Sequence, residues 1–126
     1  MRGPLRDDRG SIAVEYALIL PVLLLFVVGV MEVGRLVWTQ TTLDRAAEAA
    51  ARCGAVDPVT CANSAATSQY AVTQAFGLKV AANAFTVSSA TCGISVRATF
   101  TYKFLVPFVT PANMTLHSSA CYPLAG

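Results

Sequence analysis

Few residues in this chain are of a type that makes or breaks bonds, and their spacing decides what each is for. A Ser/His or Cys/His nucleophile needs a histidine held beside it, and His117 is the single histidine. It falls on the polar side of an alternating segment, where a histidine meets solvent. Four cysteines, Cys53, Cys61, Cys92 and Cys121, lie eight, thirty-one and twenty-nine residues apart, without the C-x-x-C knuckle that zinc sites use. Gly3 and Gly10 flank the charged segment from Pro4 to Arg9, which is no strand–turn–helix phosphate cradle. The expectation is a protein that is not an enzyme, with no catalytic, cofactor-binding or metal site and no small-molecule substrate. Two features retain chemical interest: the cysteines as disulfide partners, and Glu15, a carboxylate set inside an apolar run.

Composition narrows what must position them. Hydrophobic residues make up 55% of the 126 and charged residues only 13%, about half the charge a soluble domain uses for its surface. The net charge of +2 is too small for a nucleic-acid footprint, and an apolar, nearly neutral chain is not disordered. One stretch can span a bilayer, Ile12 to Met31, whose only charge is Glu15. Twenty helical residues reach about 30 Å, the thickness of the hydrocarbon core. From Ile19 to Val30 it is apolar on every face, which suits lipid. Pro21 lies inside it, as membrane helices tolerate, and Trp38 sits where an interfacial aromatic belongs. A cleaved secretory signal is the competing reading. The apolar run is long for one, however, and Val30-Met31-Glu32 and Val33-Gly34-Arg35 are poor small-x-small exits.

Orientation rests on two observations. Arg2, Arg6 and Arg9 precede the span and Arg35 and Arg45 follow it, three against two for a cytoplasmic N-terminus. All four cysteines follow it, and an even number in a small domain suits an oxidising compartment.

Beyond the span the helical pattern continues. Leu43, Ala46, Ala47, Ala50 and Cys53 recur at three- and four-residue spacing, with Asp44, Arg45, Glu48 and Arg52 opposite, and Glu48 and Arg52 in the favourable i, i+4 order. Gly54 is expected to stop the helix and Asp57-Pro58 to turn the chain, giving a stalk from Ser11 to Cys53. A second helix is expected from Cys61 or Ala62 to Phe76, closed by Gly77, with Ala65, Ala66, Gln69, Tyr70, Val72, Thr73 and Phe76 on its apolar face. Phe85 to Ser88 reads as a short strand. Ile94 to Phe104 alternates apolar and polar for eleven residues, its even-numbered face directed at the helices. Pro107 and Pro111 break the pattern, and Met114 to Tyr122 alternates again. The fold class is therefore α+β: a long N-terminal transmembrane and stalk helix, then a second helix and a three-stranded antiparallel sheet.

Four cysteines allow three pairings, and geometry favours one. Cys53 ends the stalk and Cys61 begins the next helix, with Gly54 and Pro58 turning the chain between them. Cys92 opens the long strand and Cys121 closes the last, and antiparallel pairing sets one strand's start beside the other's end. Cys53–Cys61 and Cys92–Cys121 are the expected bonds.

Glu15 has two readings. An ionisable group in hydrocarbon costs several kcal/mol unless paired. It can snorkel to the nearby headgroups, or it can meet a positive partner inside the membrane or a filament, such as an amine freed by proteolysis just upstream.

The string Arg9-Gly10-Ser11-Ile12-Ala13-Val14-Glu15-Tyr16, followed directly by the apolar run, resembles the prepilin leaders of tight-adherence (Flp) pili. Continued to Glu32-Val33-Gly34-Arg35-Leu36-Val37-Trp38, it is similar to the TadE-like family of pilin-like proteins. The resemblance covers residues 9 to 53. It implies cleavage between Gly10 and Ser11 by a prepilin peptidase, and an intramembrane pair Glu15-Tyr16 at the fifth and sixth mature positions. It also implies a leader over residues 1–10, a transmembrane helix over 11–38 and an extracytoplasmic domain over 39–126. The implied protein is a minor pilin or pseudopilin in the bacterial cell membrane, and in the pilus as a further location. There it would assist pilus assembly with other pilin subunits and the assembly machinery. The alternative is a membrane-anchored extracytoplasmic binding module whose anchor stays uncleaved.

Overall fold

The computed structural model describes residues 8–106 and 113–124; residues 1–7 of the expected leader and the expected breaks at Pro107 and Pro111 lie outside them. One helix dominates, α1 (Asp8–Val56), 49 residues long and continuous through Pro21. At 1.5 Å per residue it measures about 74 Å. A short helix α2 (Ser64–Gln74) follows, then strands β1 (Phe85–Ala90), β2 (Gly93–Lys103) and β3 (Asn113–Tyr122). The strands form an antiparallel meander in the order β1-β2-β3. The fold is thus the α+β arrangement expected.

Every residue from 9 to 31 is exposed, and the first buried residue of α1 is Glu32. From there a stripe turns inward along the helix: Glu32, Thr39, Leu43, Ala46, Ala47, Ala50, Ala51 and Cys53. The alanines let the sheet and α2 approach closely, and the larger core members Phe85, Val96, Tyr102 and Leu116 come from the strands. On β2 the even-numbered residues turn toward the helices and Arg97, Thr99, Thr101 and Lys103 face out, the period-two pattern at work.

Several boundaries differ from expectation for local reasons. Gly54 does not stop α1, which runs on to Val56. A Cβ on Gly54 would lie 3.1 Å from the Ile94 side chain, so the missing side chain serves close packing of helix on strand rather than a stop. The second helix starts later than expected because Asn63 caps it, its side chain accepting from the Ala66 amide at 2.8 Å, a standard N-cap bond. Cys61 belongs to the preceding turn, in which the Asp57 carboxylate accepts from the amides of Val59 and Thr60 at 3.0 Å each. Those bonds, Thr60's first, hold the Asp57 carboxyl below the usual carboxylate range. The face that α2 buries is Thr67, Ala71 and Ala75, flanked by Tyr70 and Val72. Ala65, Gln69, Thr73 and Phe76 of the expected face are exposed: the buried stripe runs through Thr67 and Ala71 instead, and with the helix ending at Gln74, Ala75 takes the place expected of Phe76. Glu48 and Arg52 form no ion pair; among the described residues the single pair is Arg35–Glu32. A solvated i, i+4 pair holds its long side chains too weakly to fix them.

Disulfides join Cys53 to Cys61, with Cα atoms 5.8 Å apart, and Cys92 to Cys121, 6.2 Å apart. The first pins the top of α1 to the turn before α2. The second ties the two-residue β1–β2 turn, Thr91-Cys92, to the end of β3.

Candidate functional site

The chain's functional geometry has two parts, an exposed apolar helix and the joint that fixes the head to it. Gly10 and Ser11 lie in the first turns of α1 and are exposed. Nothing approaches within 4 Å of where a Gly10 Cβ would sit. The first four amides of a helix have no intrahelical acceptor, so unwinding this end costs little. Glu15 and Tyr16 lie about one turn further on, both exposed. Among the described residues Glu15 makes no ion pair within the chain. The large side chains beyond it, such as Leu24 and Phe26, are likewise turned outward. α1 is the one helix of the described residues long and apolar enough to cross a membrane.

The joint begins where that exposure ends. Glu32, 6% exposed, accepts a hydrogen bond from the Tyr102 hydroxyl at 2.7 Å. The Leu105 amide donates to the same oxygen at 3.4 Å. Arg35, one turn along, donates through Nη1 to both carboxylate oxygens at 3.1 and 3.2 Å, and its guanidinium lies 5.3 Å from the Tyr102 ring centre. The Phe104 ring meets Tyr102 edge to face at 5.2 Å. A buried carboxylate is tolerable only when its lone pairs are filled in this way. Burial, and then the bond to Glu32, raise the Tyr102 pKa above the ordinary phenol value, so the hydroxyl keeps the proton it donates.

Two further polar rungs run up the same helix. Gln40 Nε2 donates to Asp44 Oδ1 and to the His117 carbonyl, both at 3.0 Å. The Ser118 hydroxyl donates to Asp44. His117 thus contributes its backbone, while its side chain faces solvent. Among the described residues no cluster of histidine, cysteine and acidic side chains could hold a metal ion. The arrangement acts mechanically: it clamps a disulfide-bonded head to the end of an apolar helix.

Sequence reasoning missed this joint. Its signal was present, because Glu32, Leu36, Thr39 and Leu43 extend the Leu43–Cys53 stripe downward at the same three- and four-residue spacing. Trp38 has a packing contact that the sequence reading did not foresee. Half exposed, it meets the turn after α2, where a Cβ on Gly77 would lie 2.8 Å from its ring.

No curated protein and no solved structure matches the chain. A family model does, over residues 10–52, the part of α1 that carries Gly10, Glu15, the exposed apolar run, Glu32 and the buried alanine stripe. Over that segment, about a third of its length, the chain is similar to the family described as TadE-like protein.

Proposed function

We propose that the protein is a minor pilin-like subunit that acts in the assembly of a tight-adherence type IV pilus. The observation that carries this reading is the coincidence of the matched segment 10–52 with a helix whose residues 9–31 are all exposed. Such a helix suits a subunit held first by lipid and later by neighbouring helices. Residues 1–10 act as leader, 11–38 as the membrane helix and 39–126 as the outer domain, with the domain's packing reaching down the helix to Glu32. The N-terminus is cytoplasmic and the head extracytoplasmic, in the single-pass sense that two disulfides favour. Its partners are the membrane, a prepilin peptidase, other pilin or pseudopilin subunits and the assembly machinery; the role is non-catalytic.

Cleavage between Gly10 and Ser11 frees an amine four residues from Glu15. An unpaired charge at mid-membrane depth costs about 2.5–3.5 kcal/mol on insertion scales. Glu15, one turn inside the span, carries only part of that cost, and pairing it with the Ser11 amine of a neighbouring subunit would recover that part on assembly. The test is co-expression with the peptidase, read by intact mass. Wild type should lose residues 1–10, and Gly10→Val should retain them. Glu15→Gln should insert and be processed normally but fail to co-purify with partner pilins. Normal processing of Gly10→Val sinks the cleavage claim. An uncleaved wild type favours the second reading, an anchored binding module.

A further inference from the structure

The base of the head carries an apolar edge that the function above leaves unused. Leu105 lies two residues past the end of β2 and is 72% exposed. Its neighbours Phe104 and Val106 are half-buried, so the segment is held in place while one large side chain points away from the protein. Its height along α1 is fixed, because the Leu105 amide meets the Glu32 carboxylate at 3.4 Å. Glu32 comes immediately after the exposed stretch ending at Met31.

The outer side of α1 shows where lipid stops. Beyond Glu32 its outer side carries Val33, Val37 and Trp38, 61%, 58% and 51% exposed, with Gly34 and the exposed Arg35 between them. Trp38 lies six residues past Glu32, about 9 Å further along the axis. With the interfacial tryptophan marking the headgroup boundary, Glu32 and the segment tied to it sit below that boundary, on the lipid side. Glu32 tolerates this depth because Tyr102, Arg35 and the Leu105 amide surround its carboxylate. Basic groups stand at the same level: Lys103 is exposed at the end of β2 and the Arg35 side chain is 45% exposed. Their heads can reach phosphate while their stems lie along apolar surface.

We propose that Leu105, supported by Phe104 and Val106, is a second membrane contact, seating the head in the headgroup–acyl boundary of the leaflet on its own side. The contact is continuous with the lipid-facing surface of α1 and rests on the reading of α1 as a membrane helix. The head then meets the bilayer at two points and is held against tilting about the helix end.

The test places single tryptophans in the full chain, reconstituted in phosphatidylcholine–phosphatidylglycerol vesicles with plain lipids or lipids brominated near the headgroup end of the acyl chains. Leu105→Trp and Phe26→Trp are each made with Trp38→Phe, and wild type reports Trp38 itself. Leu105→Trp emission should be blue-shifted and fall about twofold on bromination, at least as far as that of Trp38, as expected for a side chain at the interface depth. Because Trp38 touches the Gly77 turn, Leu105→Trp is also made with Trp38 retained. The loss of emission on bromination should then exceed that of wild type. Quenching of Phe26→Trp without quenching of Leu105→Trp overturns the proposal and leaves the membrane helix standing. Blue-shifted but unquenched emission at position 105 means that protein covers it, and also overturns the proposal. Absence of quenching at both positions removes the membrane reading and this inference with it.

Discussion

Tyr102→Phe removes one oxygen from the joint and leaves the ring. The ring's edge-to-face contact with Phe104 and its packing beneath Arg35 survive, so the change reports the 2.7 Å bond to Glu32. Tyr102 is 2% exposed, and water cannot replace the lost donor without opening the site. A hydrogen bond to a charged group is worth about 1.5–3 kcal/mol. In a domain of this size each kcal/mol moves the melting temperature by about 4–8 °C, so Tyr102→Phe should lower it by roughly 10–15 °C. Glu32→Gln keeps an acceptor for the hydroxyl and loses a partly solvated ion pair, so its own cost is smaller. The double variant should fall short of the sum of the singles by about 1 kcal/mol, the coupling of residues in one network. Burial and the bond to Glu32 raise the Tyr102 pKa in the folded state, so the folded chain holds that proton more tightly than the unfolded one. The stabilisation is complete below the unfolded value of about 10 and is lost as pH rises through the folded value. Tyr102→Phe should lack that part of the alkaline loss. The assay is near-ultraviolet circular dichroism of the full chain in detergent, with disulfides intact. A variant melting within about 2 °C of wild type, or an additive cycle, refutes the joint as an energetic unit.

Two other perturbations test the head. Removing Cys92–Cys121, which closes a separation of 29 residues, should cost about 3.5 kcal/mol against about 2.5 for Cys53–Cys61 at a separation of 8, by loop-closure entropy; paired Cys→Ser melts in which the short loop costs more would contradict that ordering. Gly93 opens β2 at φ +130, where a Cβ would lie 2.1 Å from the Tyr122 carbonyl oxygen. Gly93→Ala should therefore destabilise the head by about 3 kcal/mol or more, read by the same melts, and a neutral result would show that the β1–β2 turn and the end of β3 are not held together as described.

What the sequence made legible follows the strength of each periodic signal. The β2 alternation from Ile94 to Phe104 and the Leu43–Cys53 stripe are long, and both put their residues where the pattern directs. The cysteine pairs could be argued because each is brought together by one local geometry, a turn in one case and an antiparallel register in the other. The second helix was harder, because alanine, threonine and serine occupy all its faces and only the Asn63 cap fixes its start. The stripe could have placed Glu32 on the buried face, but what Glu32 meets there was hidden for a different reason. Its partners Tyr102 and Leu105 lie 70 and 73 residues away, and helix periodicity carries no information across that distance.

That hidden contact decides how the molecule can transmit load. α1 is clasped to the head at its lower end by Glu32 and Tyr102 and at its upper end by Cys53–Cys61. These points are 21 residues apart, about 32 Å along the axis, with Gln40 and Asp44 bonded to β3 between them. A helix held at both ends and at intermediate rungs cannot pivot against its head. A displacement that reaches Glu32 must therefore carry the whole head with it, and a hinge in α1 is confined to the exposed segment that ends at Met31. The passage from bilayer to assembly proposed above would need this coupling, and the joint at Glu32 is where the chain would provide it.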